Sequence, residues 1–423
     1  MQRNQIALKR AFGSADLAAG EPLTPRHRFR IASHSKSFTA AGVMKLREAG
    51  KLRLDDPIGQ YVKGLHPQIA EATVSQLLSH SAGIVRDGAD AGYFEDRRPF
   101  PSTDELLADL QEPPVIERNT RHKYSNHGFG LLGLAIEAIT GESYRSWIKR
   151  EIVEAAGLEE TEPDMPIPDG VRFARGHTGE LLLGKRLVIP GDYALNAVAP
   201  AGGFVSTAAD LAKHFAQLAP DALRSVLSAD SRREMTRRHW RNPHSSAERH
   251  YGLGVMIGNT EGWDWFGHGG GLQGYASFTC VVPERELTVC ILVNASDGWA
   301  GYWVEGALHL PAVVAAMASA CGGCATPPER SRKSGSQQQG ACRKQRRQPK
   351  WKPGTRREVS DGSDCPGRSG DRHNPHFYCS RCFLRNISGG PLVFRRIPRV
   401  PRTDNSKPAA VIRCYGPGMG SSR

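Results

Sequence analysis

The fold expected of this chain hangs on the tetrapeptide Ser33-His34-Ser35-Lys36. It sets a serine and a lysine three residues apart at the start of a segment with helical spacing. Residues three apart share a helix face, so the hydroxyl and the amine can meet. A serine hydroxyl becomes a competent nucleophile when a neighbouring base takes its proton. A lysine serves as that base when desolvation and nearby cationic groups lower its pKa from about 10.4 to roughly 7–8. Alone, the same four residues also fit a helix N-cap serine followed by a surface lysine.

Working outward, Phe38, Ala41, Val43, Met44 and Leu46 follow a helical period over residues 35–49, and Gly50 suits the C′ position. Residues 6–12 read as a strand turning at Gly13, and residues 28–31 as a short second strand. Helices are expected over residues 73–80, 103–110 and 126–140, the last closed by Gly141. Ser206 or Thr207 caps a helix through Leu218, with Asp210 in its first turn, where the helix dipole favours negative charge. Four short strands follow, over 251–257, 263–266, 275–282 and 287–294, with residues 283–286 as a hairpin connection. Residues 300–320 read as a terminal helix whose Trp303, Val304, Leu308, Val313 and Val314 could cover the sheet. Strands at both ends and helices between them give an α/β plus all-α arrangement: one antiparallel sheet from both chain ends, flanked by helices, with an inserted helical region.

The 423 residues carry a formal net charge of +13, unevenly spread. Residues 326–423 hold 22 Lys and Arg against 6 Asp and Glu, which leaves 34 against 37 in residues 1–325. The basic character belongs to the tail, so the body gives no reason to expect a nucleic-acid partner. Cysteine is skewed in the same way. Only Cys280 and Cys290 precede residue 320; both lie in apolar runs and read as buried thiols. No apolar run reaches the length of a membrane span, and residues 1–10 hold no signal-peptide core.

Two further motifs bear on chemistry. Tyr124-Ser125-Asn126 places a phenol and an amide two residues apart, able to relay a proton and to hold a substrate amide. It also fits a loop tyrosine beside a capping asparagine. His268-Gly269-Gly270-Gly271 lets backbone approach a ligand and aim N–H groups at an oxyanion, with a histidine that offers a donor or a positive charge. It also fits a glycine-rich hairpin loop.

In this order, the three motifs resemble the serine β-lactamase-like hydrolases, class C branch, which includes class C β-lactamases, D-Ala-D-Ala carboxypeptidases, D-aminopeptidases and β-lactamase-fold esterases. Residues 29–39, Leu77-Leu-Ser-His-Ser-Ala-Gly-Ile84, residues 200–207 and residues 268–275 share the resemblance, which spans roughly residues 6–315. It implies a β-lactamase/transpeptidase-like fold and no cofactor or metal. By resemblance, Ser33 is the acyl-accepting nucleophile, Lys36 its base and Tyr124 the second proton-transfer group. Asn126, His268, Gly269 and Gly270 contact substrate, and the Ser33 and Gly271 N–H groups form the oxyanion site. His268 stands where β-lactamases carry the lysine of Lys-Thr-Gly. That departure shifts the expectation from strong β-lactamase activity to hydrolysis of a small peptide, amide or ester. A non-catalytic penicillin- or peptidoglycan-binding relative is the alternative.

The expected domains are a hydrolase domain over residues 1–320 and a basic, low-order tail over 321–423. The N-terminus looks clipped relative to the resembled family; without a visible signal peptide a cytoplasmic location is the default. The tail lacks periodicity and reads as a disordered, non-native extension, such as a shifted-frame translation. Its Cys321–Cys324 and Cys379–Cys382 pairs, near His373 and His376, are too far apart for the usual zinc spacing. Arg97, Arg98, Arg121 and His122 either hint at an anionic substrate group or form a solvated charged face.

Overall fold

The computed structural model describes residues 5–95, 97–181, 184–243, 248–260, 262–296 and 410–415. The chain divides into one unit of residues 1–324 and 402–423 and a second of residues 325–401, which lies outside the described residues.

Strand β1 (Ile6–Phe12) opens the chain. Three two-stranded ladders follow: β2 (Ser14–Asp16) with β3 (Glu21–Pro22), β4 (Phe29–Arg30) with β7 (Val205–Ser206), and β5 (Gly176–His177) with β6 (Val188–Ile189). The remaining strands are β8 (Trp240–Arg241), β9 (Arg249–Tyr251), β10 (Met256–Thr260), β11 (Trp263–Leu272), β12 (Tyr275–Val282), β13 (Leu287–Val293) and β14 (Ala410–Tyr415). With β1 they form an eight-stranded sheet in the order β1-β14-β13-β12-β11-β10-β9-β8, antiparallel throughout. The expectation of one antiparallel sheet from both chain ends therefore stands, but β1 joins it through β14. That strand comes from the region read as a low-order tail. The rest of residues 321–423 lies outside the described residues, as do residues 300–320 and the two Cys-x-x-Cys pairs.

Strand β13, Leu-Thr-Val-Cys-Ile-Leu-Val, is buried at every position, as a sheet covered on both faces requires. Its side chains alternate between two cores. Cys290 and Leu292 join the large core shared with the helices, whereas Val289, Ile291 and Val293 meet Trp265 and Phe278 on the other face. The register sets Cys280 opposite Val289, and the two cysteines fall in different cores, so they are buried thiols on opposite faces.

The helical side holds α1 (Ser35–Glu48), α2 (Pro67–Ala70), α3 (Val74–Leu78), α4 (Thr103–Asp109), α5 (Asn126–Thr140), α6 (Tyr144–Ile148), α7 (Ala199–Gly202), α8 (Ala208–Gln217) and α9 (Ala229–Met235). None is long and apolar enough to cross a membrane. In α1 residues 35–44 are buried on all sides. Burying Phe38, Val43, Met44 and Leu46 contributes about 1.5–3 kcal/mol each for the larger side chains. The buried hydroxyls on the same helix need partners. Ser35 Oγ donates to the Ala32 carbonyl at 2.6 Å, Ser37 Oγ to the His34 carbonyl at 2.7 Å, and Thr39 Oγ1 to the Pro200 carbonyl at 2.7 Å. Helix α5 is ended by Gly141 at φ 71°, as its sequence indicates, but its cap is Ser125, whose side chain accepts from Gly128 N, and not Asn126.

The strand expected over 251–257 is in fact two strands. Gly252 N bonds to the Val255 carbonyl, and Gly254, at φ 73°, donates to the Leu78 carbonyl at 3.1 Å. This turn wedges against α1: a Cβ at Gly254 would stand 2.5 Å from Ala40 Cβ and 2.8 Å from the Lys36 carbonyl oxygen. Gly254→Ala meets both a left-handed backbone and a clash with helix backbone. It should destabilise the protein by about 2 kcal/mol or more, measured as a lower denaturation midpoint. Wild-type stability of this variant would contradict the wedge.

Candidate active site

Ser33 lies in a short 3-10 turn (Ala32–His34) that runs directly into α1. Ala32 before it has φ 48°, in the left-handed region. An alanine there costs about 1–2 kcal/mol and persists where packing overdetermines it; Ala32 is buried.

Lys36 is fully buried, one turn further on. Its Nζ lies 2.7 Å from Asn126 Oδ1, 2.7 Å from the Ala201 carbonyl oxygen and 3.3 Å from Ser33 Oγ. The faces of Tyr124 and Phe129 stand 4.7 and 5.5 Å from it. Burial holds the amine's pKa well below the ordinary value of 10.5; Asp87 opposes the shift and Arg86 adds to it. A neutral amine has two hydrogens and one lone pair. The two close carbonyl acceptors take the hydrogens, which leaves the lone pair towards the Ser33 hydroxyl.

Tyr124 precedes the Ser125 cap, and its hydroxyl donates to Ser33 Oγ at 2.8 Å. Removal from water pushes the phenol above its usual value near 10, with the bond to Ser33 opposing. Asn126, the first residue of α5, is bound at both ends. Its Oδ1 accepts from Lys36, and its Nδ2 donates to Asp87 Oδ1 at 2.5 Å. Asp87 Oδ2 is 2.9 Å from Arg86 Nε.

The glycine motif is strand rather than loop. Residues 266–272 of β11 pair with β12, whereas the pairing to β10 ends at Gly267 with Met256. Gly270 presses on the nucleophile turn: a Cβ there would meet the Ile31 carbonyl oxygen at 2.3 Å and Ser277 Oγ at 2.5 Å. His268 is buried. Its Nδ1 is 2.6 Å from the Gly269 carbonyl and its Nε2 2.8 Å from the Tyr251 hydroxyl. Burial first, then His34 and Lys36, depress its pKa well below 6.5. The positive charge that the sequence allowed at this position is therefore disfavoured. The neighbouring His34 is held down to about 3 by burial.

Ser33, Asn126 and Gly271 line one small cleft, with Arg86, Phe94 and Phe100 among the other walls. The structure thus brings Ser33, Lys36, Tyr124 and Asn126 into direct contact and sets Gly271 beside them. His268 lies behind, within the protein. Sequence reasoning missed Asp87, Arg86, Tyr251 and the Ala201 carbonyl. The first two directly follow the phrase Leu77–Ile84 and Val85, and that adjacency was the available signal. Of the basic residues noted near 97–122, Arg98 is tied to Glu105 and His122 is buried. Among the described residues no cluster of His, Cys, Asp and Glu could hold a metal ion.

The chain is 29% identical over 306 residues to penicillin-binding protein 4 of Amycolatopsis lactamdurans, covering 67% of this chain and 76% of that protein. It is 24% identical over 315 residues to protein flp of Staphylococcus aureus, covering 72% of this chain but only 60% of the relative. Among solved structures, the octameric penicillin-binding protein homologue from Pyrococcus abyssi matches with a TM-score of 0.65 and 29% identity, over 74% of this chain and 71% of that one. The D-amino acid amidase from Ochrobactrum anthropi SV3 shares the fold, with a TM-score of 0.63 and 23% identity over 73% and 90% of the two chains. A family model described as Beta-lactamase matches residues 1–302. With the match spanning well over half of its length, the chain belongs to the Beta-lactamase family and has a hydrolase fold of the β-lactamase/transpeptidase type.

Proposed function

We propose that this protein is a serine hydrolase that acts through a Ser33 acyl-enzyme on a small peptide, amide or ester. The observation that carries the reading is the buried Lys36 amine, whose Nζ lies 2.7 Å from the Asn126 and Ala201 carbonyl oxygens and 3.3 Å from Ser33 Oγ.

The steps follow from that geometry. Ser33 Oγ attacks the substrate carbonyl carbon while its proton passes to Lys36 Nζ. The oxyanion takes hydrogen bonds from the Ser33 and Gly271 N–H groups, each such donor worth about 2.7–4 kcal/mol of barrier. Collapse expels the amine or alcohol, protonated from the coupled Lys36–Tyr124 pair. Water then attacks the acyl-enzyme as Lys36 takes its proton, and collapse breaks the bond to Ser33 Oγ, which regains that proton from Lys36 as the acid leaves. Asn126 supports the base through its carbonyl and lines the cleft for a substrate amide. Gly269 to Gly271 offer backbone along the strand edge beyond the β10 pairing, with His268 at its base. The penicillin-binding and amidase relatives support acyl transfer at an amide-like carbonyl.

A fluorophosphonate or fluorescent penicillin should label Ser33, and Ser33→Ala should abolish both labelling and turnover of p-nitrophenyl esters. Labelling without turnover would favour a binding protein; turnover that survives Ser33→Ala would move the chemistry elsewhere.

The pH dependence has a fixed sign. The base must be unprotonated, and burial lowers the Lys36 pKa, so the free amine is present at pH values where an exposed lysine is charged. The acid limb of kcat/KM should fall well under pH 10.5 and descend tenfold per unit. The raised phenol keeps Tyr124 protonated up to at least its ordinary value near 10. An acid limb at the ordinary lysine value would refute Lys36 as the base.

A further inference from the structure

His80 follows α3 and takes no direct part in the steps at Ser33. Its backbone is left-handed, at φ 59°, a conformation that costs most side chains and that Asn, Asp and His adopt more readily than others. The residue is buried. Its contacts gather around Tyr124. The His80 carbonyl accepts the Lys123 N–H at 2.7 Å, and His80 Nδ1 accepts the Ser125 N–H at 3.2 Å. The residues on either side of Tyr124 are therefore tied to one residue, whose own N–H donates to the Leu77 carbonyl of α3 at 3.3 Å. The imidazole also lies against the Tyr124 ring, with centroids 4.2 Å apart. Tyr251 at 4.6 Å and Phe129 at 5.2 Å brace the same imidazole.

A backbone N–H only donates, so Nδ1 is bare and the imidazole proton sits on Nε2. Burial first, then the nearby His122 and Lys36, hold the His80 pKa well below 6.5. The ring thus stays the neutral acceptor that the Ser125 contact needs. Nε2 is buried without a hydrogen-bond partner among the described residues. A left-handed backbone and an unpaired buried N–H are both unfavourable, and such costs collect where geometry serves function. Here both fall on the residue that grips the chain around Tyr124.

We propose that His80 is a positioning residue for leaving-group protonation: through the Ser125 N–H and the ring contact it holds the Tyr124 hydroxyl 2.8 Å from Ser33 Oγ. The proposal rests on the Ser33 reading, in which the Lys36–Tyr124 pair protonates the departing amine or alcohol. A phenol displaced by about 1 Å loses much of that transfer, while the Lys36 contact to Ser33 is carried by other residues.

The test compares two esters of one acid, p-nitrophenyl butyrate and trifluoroethyl butyrate. The nitrophenolate departs as a stable anion, whereas the alkoxide needs a proton as it leaves. The measured quantity is the ratio of their kcat/KM values, in which a loss of folded protein cancels. His80→Gly keeps the left-handed backbone and removes both acceptor and ring. It should shift the ratio against the trifluoroethyl ester by about tenfold, in the same direction as Tyr124→Phe. His80→Asn tolerates the same backbone, offers Oδ1 near the place of Nδ1, and should restore most of the ratio. His80→Leu, which has no acceptor, replaces the glycine variant if that does not fold. In a Tyr124→Phe background, His80→Gly should leave the ratio where it is. A ratio unchanged in the glycine or leucine variant, one that His80→Asn fails to restore, or one that falls further in the double variant than in Tyr124→Phe overturns the inference, while Ser33 labelling keeps the Ser33 reading. A wild type that hydrolyses only the p-nitrophenyl ester has no working acid for His80 to position, and also overturns it. A wild-type protein that neither labels at Ser33 nor hydrolyses p-nitrophenyl butyrate removes both.

Discussion

The constraint on which the rest depends is a lysine amine held entirely out of water. A charged amine in such a place carries a desolvation penalty of several kcal/mol, and a neutral one is tolerated only when its hydrogens find acceptors. Three helices meet that condition. Helix α1 carries Lys36, α5 brings the Asn126 carbonyl, and α7 brings the main-chain oxygen of Ala201. The Gly254 turn presses on the Lys36 carbonyl from the sheet side. Each support that fixes the amine also aims its third position at Ser33. Packing and reactivity are thus the same set of contacts, and a change in how these helices meet changes the base.

Asp87 shows how finely the base is balanced. A carboxylate in direct contact with the amine would favour its protonated form and remove its use as a base. Here an amide intervenes: Asp87 holds Asn126 Nδ2, and Asn126 Oδ1 holds Lys36. The carboxylate therefore orients the acceptor without itself touching the amine in this chain of contacts. Arg86 on its far side draws on the same charge. The amine stays depressed while its geometry is fixed through two hydrogen bonds.

Much of this was legible in the sequence where a local signal and the tertiary outcome agree. Helix α5 was readable because its apolar run and terminal glycine each act within a few residues, although its cap is Ser125 and not Asn126. Ser33, Lys36, Tyr124 and Asn126 were readable because their spacing and order are one-dimensional features that the fold preserves. The break between β9 and β10 was not, since it depends on Gly254 reaching the carbonyl of Leu78 and the flank of α1. The glycine run 269–271 has the composition of a loop and becomes strand because β12 supplies its ladder. Strand β14 comes from sequence that shows no strand period in its surroundings. The Ala201 oxygen belongs to the main chain and leaves no mark in residue type.

His268 separates identity from state. Its place at the head of the glycine motif was readable, and its charge was not, because the charge depends on Tyr251 and on burial. Lys36 is itself one of the groups that disfavour a proton on His268, so a cation at one position opposes a cation at the other. With the imidazole sealed and neutral, the proton on Lys36 is governed by burial and by the Asp87–Arg86 pair at the cleft.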